Sequence, residues 1–369
     1  MDLKDFDVVS MRSDLHEMPE LGFQEVRTSD YVAAKLEAMG LKVTRGIGKT
    51  GVVAYIEGDE PGPTVMLRAD MDALPFVDEN GNPVCIHACG HDCHTAMGLA
   101  TAARMIGKVK KGKLKLFFQP GEEVLTGALE SIKDGVLDDV DMAVGAHIRP
   151  VQDIPSGSVC PAVRHTASTF MNVHFKGLAA HASRPHLGHS TVEAAVLATN
   201  AINAMWANPL LGWSAKVTTI DCAATAYNII PDSGKMVLDI RAETNPLMKE
   251  VLEKVEKAIK NAVACVDVEA TIELPGGVIP AAEYDESLVD EMREVIKETL
   301  GADKLAGACG GGGEDFHYFV QKKPSVRTVY IGVGAGATPG LHHPKMTLDA
   351  EQLRIGVKVL EAFLLKKLG

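Results

Sequence analysis

No stretch of this sequence approaches the length of an apolar membrane span, so a membrane protein is not expected. Its first residues, Met1-Asp2-Leu3-Lys4-Asp5, lack the basic-then-apolar order of a secretory leader, which points to a cytoplasmic protein. A basic stripe is also missing. With 37 Lys+Arg against 49 Asp+Glu the formal net charge is −12, which argues against nucleic acid as a partner. A small anionic ligand would need a local Arg or Lys set against that field. Cysteine is sparse and odd in number, seven in all, with no Cys-x-x-Cys; this suits reduced thiols in a cytosol and argues against a redox motif. The glycine run Gly310–Gly313 is not followed by Lys-Ser or Lys-Thr. It is therefore read as a mobile lip of a cleft and not as a phosphate loop. Repeats and low-complexity segments are absent.

What is present is a chain of 369 residues, 46% apolar, long enough for two domains or for one domain carrying an insertion. Strand-like runs at Val52–Ile56, Thr64–Arg68, Lys113–Phe118 and Met142–Ala146 alternate with helical patterns at 25–39 and Thr95–Ile106. This order predicts an α/β fold, a mainly parallel sheet covered by helices. The middle reads differently. Phe170–Lys176, Val192–Trp206, Ala215–Ile220, Lys235–Arg241, Pro246–Ala262 and Val266–Leu274 follow the order β-α-β-β-α-β, an inserted ferredoxin-like α+β domain. After Pro275-Gly276-Gly277 the α/β style resumes: a helix around Leu288–Ile296, a strand Val326–Val333, and a closing helix capped by Asp349 with Gln352 three residues on. The expected domains are 1–164 with 276–369, and an insertion at 165–275.

The chemistry gathers in one run, His87-Ala88-Cys89-Gly90-His91-Asp92-Cys93-His94, with six metal-capable side chains in eight positions. Such density is expensive to bury without a cation. A thiolate and an imidazole joined by Gly can close on one ion, which points to a metalloenzyme. The other polar clusters each follow a predicted strand: Asp70-Met71-Asp72, Glu122-Glu123, His147, and His342-His343. In an open α/β sheet, strand ends of this kind converge on one crevice. Of two adjacent carboxylates at a strand end, one can hold an ion while the other takes a proton from metal-bound water. The alternative is a solvated surface pair. Asp70 and Asp72 are placed to orient imidazoles, and only one of His342 and His343 is expected to reach a metal.

Together, His-Ala-Cys-Gly-His-Asp-x-His, Arg-Ala-Asp-Met-Asp-Ala-Leu-Pro, Gln-Pro-x-Glu-Glu, Gly-x-His and Leu-His-x-Pro resemble the amidohydrolase branch of the aminoacylase/carboxypeptidase metallopeptidases. That branch includes hippurate hydrolases, auxin-conjugate hydrolases and N-acetyl-diaminopimelate deacetylases. The likeness runs from Leu15-His16-Glu17-Met18-Pro19-Glu20 through Gly313-Glu314-Asp315-Phe316 to the end of the chain. It implies two divalent ions per subunit, zinc or manganese foremost, with cobalt or nickel as alternatives. Cys89 would bridge them. His91 and His147 would complete one shell, Glu123 and His342 the other, and Glu122 would be general base and then acid.

The insertion resembles the family's dimerisation domain, which implies a homodimer. In Gly177-Leu178-Ala179-Ala180-His181-Ala182-Ser183-Arg184-Pro185-His186, the match assigns His181 to the oxyanion of the tetrahedral intermediate. Asn228 and Arg241 correspond to substrate contacts, although Arg241 can equally serve in a structural ion pair. Two departures fall where a substrate pocket is expected: the segment 76–86 is short, and Gly188-His189-Ser190 replaces a common Gly-Asp. The expected activity is hydrolysis of the amide bond of an N-acyl amino acid. A dipeptidase or carboxypeptidase using the same dinuclear site, and a non-catalytic metal-binding protein, are the alternatives.

Overall fold

The computed structural model describes residues 2–369 and divides into two compact units, one running up to Arg164 and resuming over Glu283–Gly369, the other His165–Ala282. The first unit is built on a seven-stranded sheet in the order Val43–Ile47, Gly51–Glu57, Lys111–Gln119, Glu60–Asp70, Met142–Pro150, Arg327–Ala337 and Val159–Cys160. The four middle strands are mutually parallel and the edges are antiparallel, so the sheet is mixed around a parallel core. The antiparallel edge has a local cause. Val43–Ile47 and Gly51–Glu57 are joined by a three-residue link, 48–50, in which Gly48 and Lys49 take positive φ, and so short a link permits only antiparallel pairing.

The parallel strands are buried on both faces, as their apolar runs require. Leu67, Leu116 and Val144 face a core shared with the helices His91–Met105, Glu286–Leu300 and Leu353–Leu368. Met66, Phe117 and Tyr330 face the opposite layer, with Phe316 and Phe319. Two elements start or stop elsewhere than the pattern suggested. The helix expected at Thr95–Ile106 begins at His91, so the metal-capable run occupies its first turn. The strand expected at Met142–Ala146 continues to Pro150, so His147 lies within the strand and not beyond it. Asp349 caps a single 3-10 turn, Ala350–Gln352, that leads into the last helix.

The second unit has an antiparallel sheet in the order Trp213–Asp221, Ser233–Ala242, Ala167–Lys176 and Glu269–Glu273, with helices Thr191–Ala204 and Asn245–Ala264 packed on it. This is the ferredoxin-like arrangement. The unit extends to Ala282, seven residues past the expected 275, because backbone bonds hold the tail: Ile279 and Ser168 exchange both hydrogen bonds, and Ala282 N–H donates to the His165 carbonyl. Among the described residues no helix is long and apolar enough to cross a membrane.

Candidate metal centre

The carboxyl ends of the parallel strands carry the chemistry. Asp70 closes its strand, and Gln119 closes the next and leads through Pro120 and Gly121 to Glu122. Between these strands the chain makes a sharp turn at Gly90, whose φ of 87° lies in the left-handed region. A Cβ there would stand 2.3 Å from Ile148 Cδ1, so only glycine lets the first turn of the His91–Met105 helix close against the sheet. His342 also takes a positive φ, 61°. Its N–H donates to the Ala88 carbonyl at 2.7 Å, tying this loop to the residue before Cys89.

Hydrogen bonds set the state of each buried imidazole. His147 Nδ1 lies 2.6 Å from the Ile148 carbonyl, which can only accept, so Nδ1 carries the hydrogen and Nε2 presents a lone pair. That Nε2 is 3.4 Å from Cys89 Sγ. His91 Nδ1 bonds Asp72 Oδ1 at 3.1 Å, and its Nε2 is buried with no hydrogen-bond partner. His94 differs. Its Nε2 accepts from Ile148 N–H at 2.9 Å and its Nδ1 donates to Asp70 Oδ1 at 2.6 Å, so both ring nitrogens are engaged. Asp70 therefore holds His94, and Asp72 holds His91.

The paired carboxylates both border His91 and differ in their second contact. Asp72 accepts from Glu122 N–H at 3.1 Å and from Glu123 N–H at 2.9 Å, fixing the turn that carries both. Glu123 Oε1, buried and without a hydrogen-bond partner, is 3.7 Å from His91 Nε2 and 3.5 Å from His342 Nε2. Glu122 Oε1 accepts from Asp315 N–H at 3.4 Å, while its Oε2 lies 3.8 Å from His91 Nε2. Beneath them lies Arg68, fully buried. Its five N–H groups meet Gln119, Asp70, Tyr330, Glu314 and Asp315 at 2.6–3.0 Å. In the sequence Arg68, Glu314 and Asp315 stand only as members of motifs. Their joint role needed the fold, since 246 residues separate Arg68 from Glu314.

Among the described residues five groups of potential donors form, each within 4.8 Å; two share one sulfur (Cys89, His91 and His147; Cys89, Glu123 and His342), and the others are Asp70, His91 and His94; His91, Glu122 and Glu123; and Glu122, Glu314 and Asp315. Ligands on one ion at about 2.1 Å stand roughly 3 to 3.5 Å apart, close to these separations. Burial, reinforced by Glu123, pushes the Cys89 thiol well above its ordinary range. Burial with the charges of Glu314 and Glu123 does the same to the Glu122 carboxyl. Burial and the Glu314 charge lift Asp315 to about 7 even against Arg68. Burial with His94 and Arg149 keeps His147 neutral. A neutral imidazole is ligand-ready, and divalent cations reverse the penalty on buried anions. The unpartnered His91 Nε2 and Glu123 Oε1 thus fit a dinuclear divalent-metal site with mixed sulfur, nitrogen and oxygen donors. His342, its side chain 58% exposed, is the member of the set nearest solvent. His343 is exposed and its Nδ1 accepts from Lys345 N–H, so of the adjacent pair only His342 joins the cluster.

A family sequence model described as peptidase family M20/M25/M40 matches residues 66–366. The chain belongs to this family. An N-acetyldiaminopimelate deacetylase of Streptococcus pneumoniae is 31% identical over 384 residues, covering 98% of this chain and 99% of that protein. Among solved structures, a putative aminohydrolase from methicillin-resistant Staphylococcus aureus superposes with a TM-score of 0.88 at 27% identity, covering 100% of this chain and 98% of the other. The YXEP protein of Bacillus subtilis, described as a dinuclear metal-binding peptidase of the M20 family, gives 0.83 at 28% identity with 99% of both chains covered. With the donor geometry, this makes the M20 protein a metal-dependent amidohydrolase with a dinuclear metal site.

The remaining expected site residues of this M20 chain lie in the second unit. His181 is on the two-residue strand Ala180–His181, which pairs with Ile229–Ile230. Its Nδ1 accepts from Ser183 N–H at 3.1 Å and meets Ser183 Oγ at 2.8 Å, and the ring is exposed. Asn228 is brought beside it, its carbonyl accepting from Ala182 N–H at 2.8 Å. Arg241 is not gathered with them. Its Nε and Nη2 form a two-pronged bond to Asp239, two residues back on the same strand, at 2.9 and 3.1 Å, a structural ion pair.

Proposed function

We propose that this M20 amidohydrolase cleaves the amide bond of N-acyl amino acids, with Glu122 as general base and then acid. The observation that carries the reading is the split of contacts between the two neighbouring carboxylates: Glu123 Oε1 lies against both His91 and His342, while Glu122, also 3.8 Å from His91 Nε2, gives its other oxygen to the Asp315 backbone. Cys89, His91, His147, Glu123 and His342 would hold the two ions, zinc by the thiolate and imidazole donors or manganese by the family resemblance. When bound, such ions supply Lewis acidity at the amide carbonyl and make water acidic enough to be deprotonated near neutral pH. Glu122 takes that proton in its buried position and returns it to the departing amine. Asp72 and Asp70 keep His91 and His94 in fixed tautomers throughout. The family motif assigns His181 to the oxyanion, and Asn228 and Arg241 to the substrate. Arg241 would have to exchange Asp239 for a substrate carboxylate.

The name of the deacetylase relative favours an N-acetylated amino acid. The same family resemblance favours a homodimer formed through the second unit. Cytoplasmic residence accords with seven cysteines that are all free thiols. The test is a hydrolysis panel of N-acetyl, N-benzoyl and N-indolylacetyl amino acids beside unblocked dipeptides, with zinc, manganese and cobalt supplied in turn. Cleavage of one N-acyl series above the dipeptides supports the proposal. Faster cleavage of dipeptides would transfer the chain to the peptidases, and inert metal-replete protein would refute catalysis.

A further inference from the structure

Two thiols far from each other in sequence meet in the first unit. Cys160 Sγ and Cys309 Sγ are 3.3 Å apart across 149 residues of chain. Cys160 sits fully buried on the edge strand Val159–Cys160. Cys309 is only half-buried, on the short strand Cys309–Gly310 that pairs in parallel with Val163–Arg164. A disulfide needs its sulfurs at about 2.05 Å, so little more than about 1 Å of approach is required. Cys160 Sγ also lies 3.6 Å from the Ala162 carbonyl. Cys222 and Cys265 donate to the backbone carbonyls of Thr191 and Asn261, and Cys89 belongs to the metal donors.

We propose that Cys160 and Cys309 form a reversible disulfide, a redox modification site separate from the metal donors, with a small organic disulfide as the oxidant. The asymmetry of the pair assigns the roles. Cys309 is the reachable member. Its contact with the Cys160 thiol lowers its pKa against burial, and the Arg149 guanidinium, which also donates to the Gly310 carbonyl at 3.1 Å, works in the same direction as that contact. The Cys309 thiolate attacks one sulfur of the oxidant and releases the other half as a thiolate, which takes up a proton. Cys160 then loses its proton and attacks the Cys309 sulfur, displacing the second half. In sum, two protein thiols become one disulfide while one small disulfide becomes two thiols.

The consequence lies in the residues that follow. Gly311 and Gly312 hold positive φ angles of 108° and 74°, and three residues further on Asp315 N–H bonds Glu122. Oxidation would pin one end of this glycine segment to the sheet edge.

The experiment treats the metal-loaded full-length protein with oxidised glutathione, followed by non-reducing peptide mapping. The expected result is a cross-linked Cys160–Cys309 peptide pair lighter by two hydrogen atoms, with both thiols lost to titration and recovered by dithiothreitol. Exposed Cys265 serves as the internal control and carries glutathione as a mixed disulfide. In Cys160→Ala the glutathione should persist on Cys309. The proposal is overturned if wild-type Cys309 keeps glutathione without forming the cross-link. It is equally overturned if both thiols remain free while Cys265 has reacted. Neither readout depends on which amide the protein hydrolyses.

Discussion

Asp72 bonds His91 through Oδ1, which accepts from the ring Nδ1 at 3.1 Å, and this leaves His91 Nε2 directed at Glu123 Oε1 3.7 Å away. The same carboxylate receives the backbone N–H groups of Glu122 and Glu123. One buried aspartate thus aligns an imidazole from a helix start with a carboxylate pair from a strand end.

Removing that aspartate should therefore loosen the metals before it touches the chemistry. Asp72→Ala is expected to weaken metal binding by about 10- to 100-fold, the usual consequence of deleting a partner behind a metal-binding imidazole. Competition with a chelator at fixed pH measures this. Unchanged metal retention would show that Asp72 does not orient His91 for an ion.

Glu122→Gln preserves shape and the Asp315 contact but cannot take a proton. Hydrolysis should fall by about 100- to 10,000-fold while metal content stays at the wild-type level. Steady-state rates beside elemental analysis of the same sample separate the two. Near-normal turnover with full metal would remove Glu122 from its assigned role.

Gly90→Ala places a methyl group against Ile148 in a conformation that L-residues avoid. A loss of about 1–3 kcal/mol is expected from strain and overpacking together. Urea unfolding of the purified variant tests it, and an unchanged midpoint would mean that the turn relaxes freely.

Acid should erase the contribution of Asp285. Its side chain caps the helix Glu286–Leu300 and pairs with Arg327, which holds its carboxyl well below the ordinary carboxylate range. A depressed folded pKa gives stability that is full above the unfolded value, about 3.9, and is lost as pH falls through the folded one. Asp285→Ala should cost about 1 kcal/mol at neutral pH. Melting curves of both proteins from pH 7 downward should show that gap holding to about pH 4 and narrowing below it. A gap that widens on acidification would contradict the pairing.

The alternation of strands and helices, the ferredoxin-like order of the middle segment and the strand-end positions of Asp70, Glu122 and His342 were all legible from local pattern. Hydrophobic period and turn residues act within a few positions, and a linear chain displays them directly. The density of donors at 87–94 declared a metal site for the same reason. Tertiary contact decided the rest. It engaged both nitrogens of His94, ran the strand through His147, kept residues 276–282 with the second unit, and joined Arg68 to Glu314 and Cys160 to Cys309. Which ring nitrogen is left bare depends on partners from other strands and turns, 19 residues off for His91 and 54 for His94, and the Arg68 guanidinium meets carboxylates 246 and 247 residues away. Those pairings arise only when burial removes water and each polar group must find a partner inside the protein.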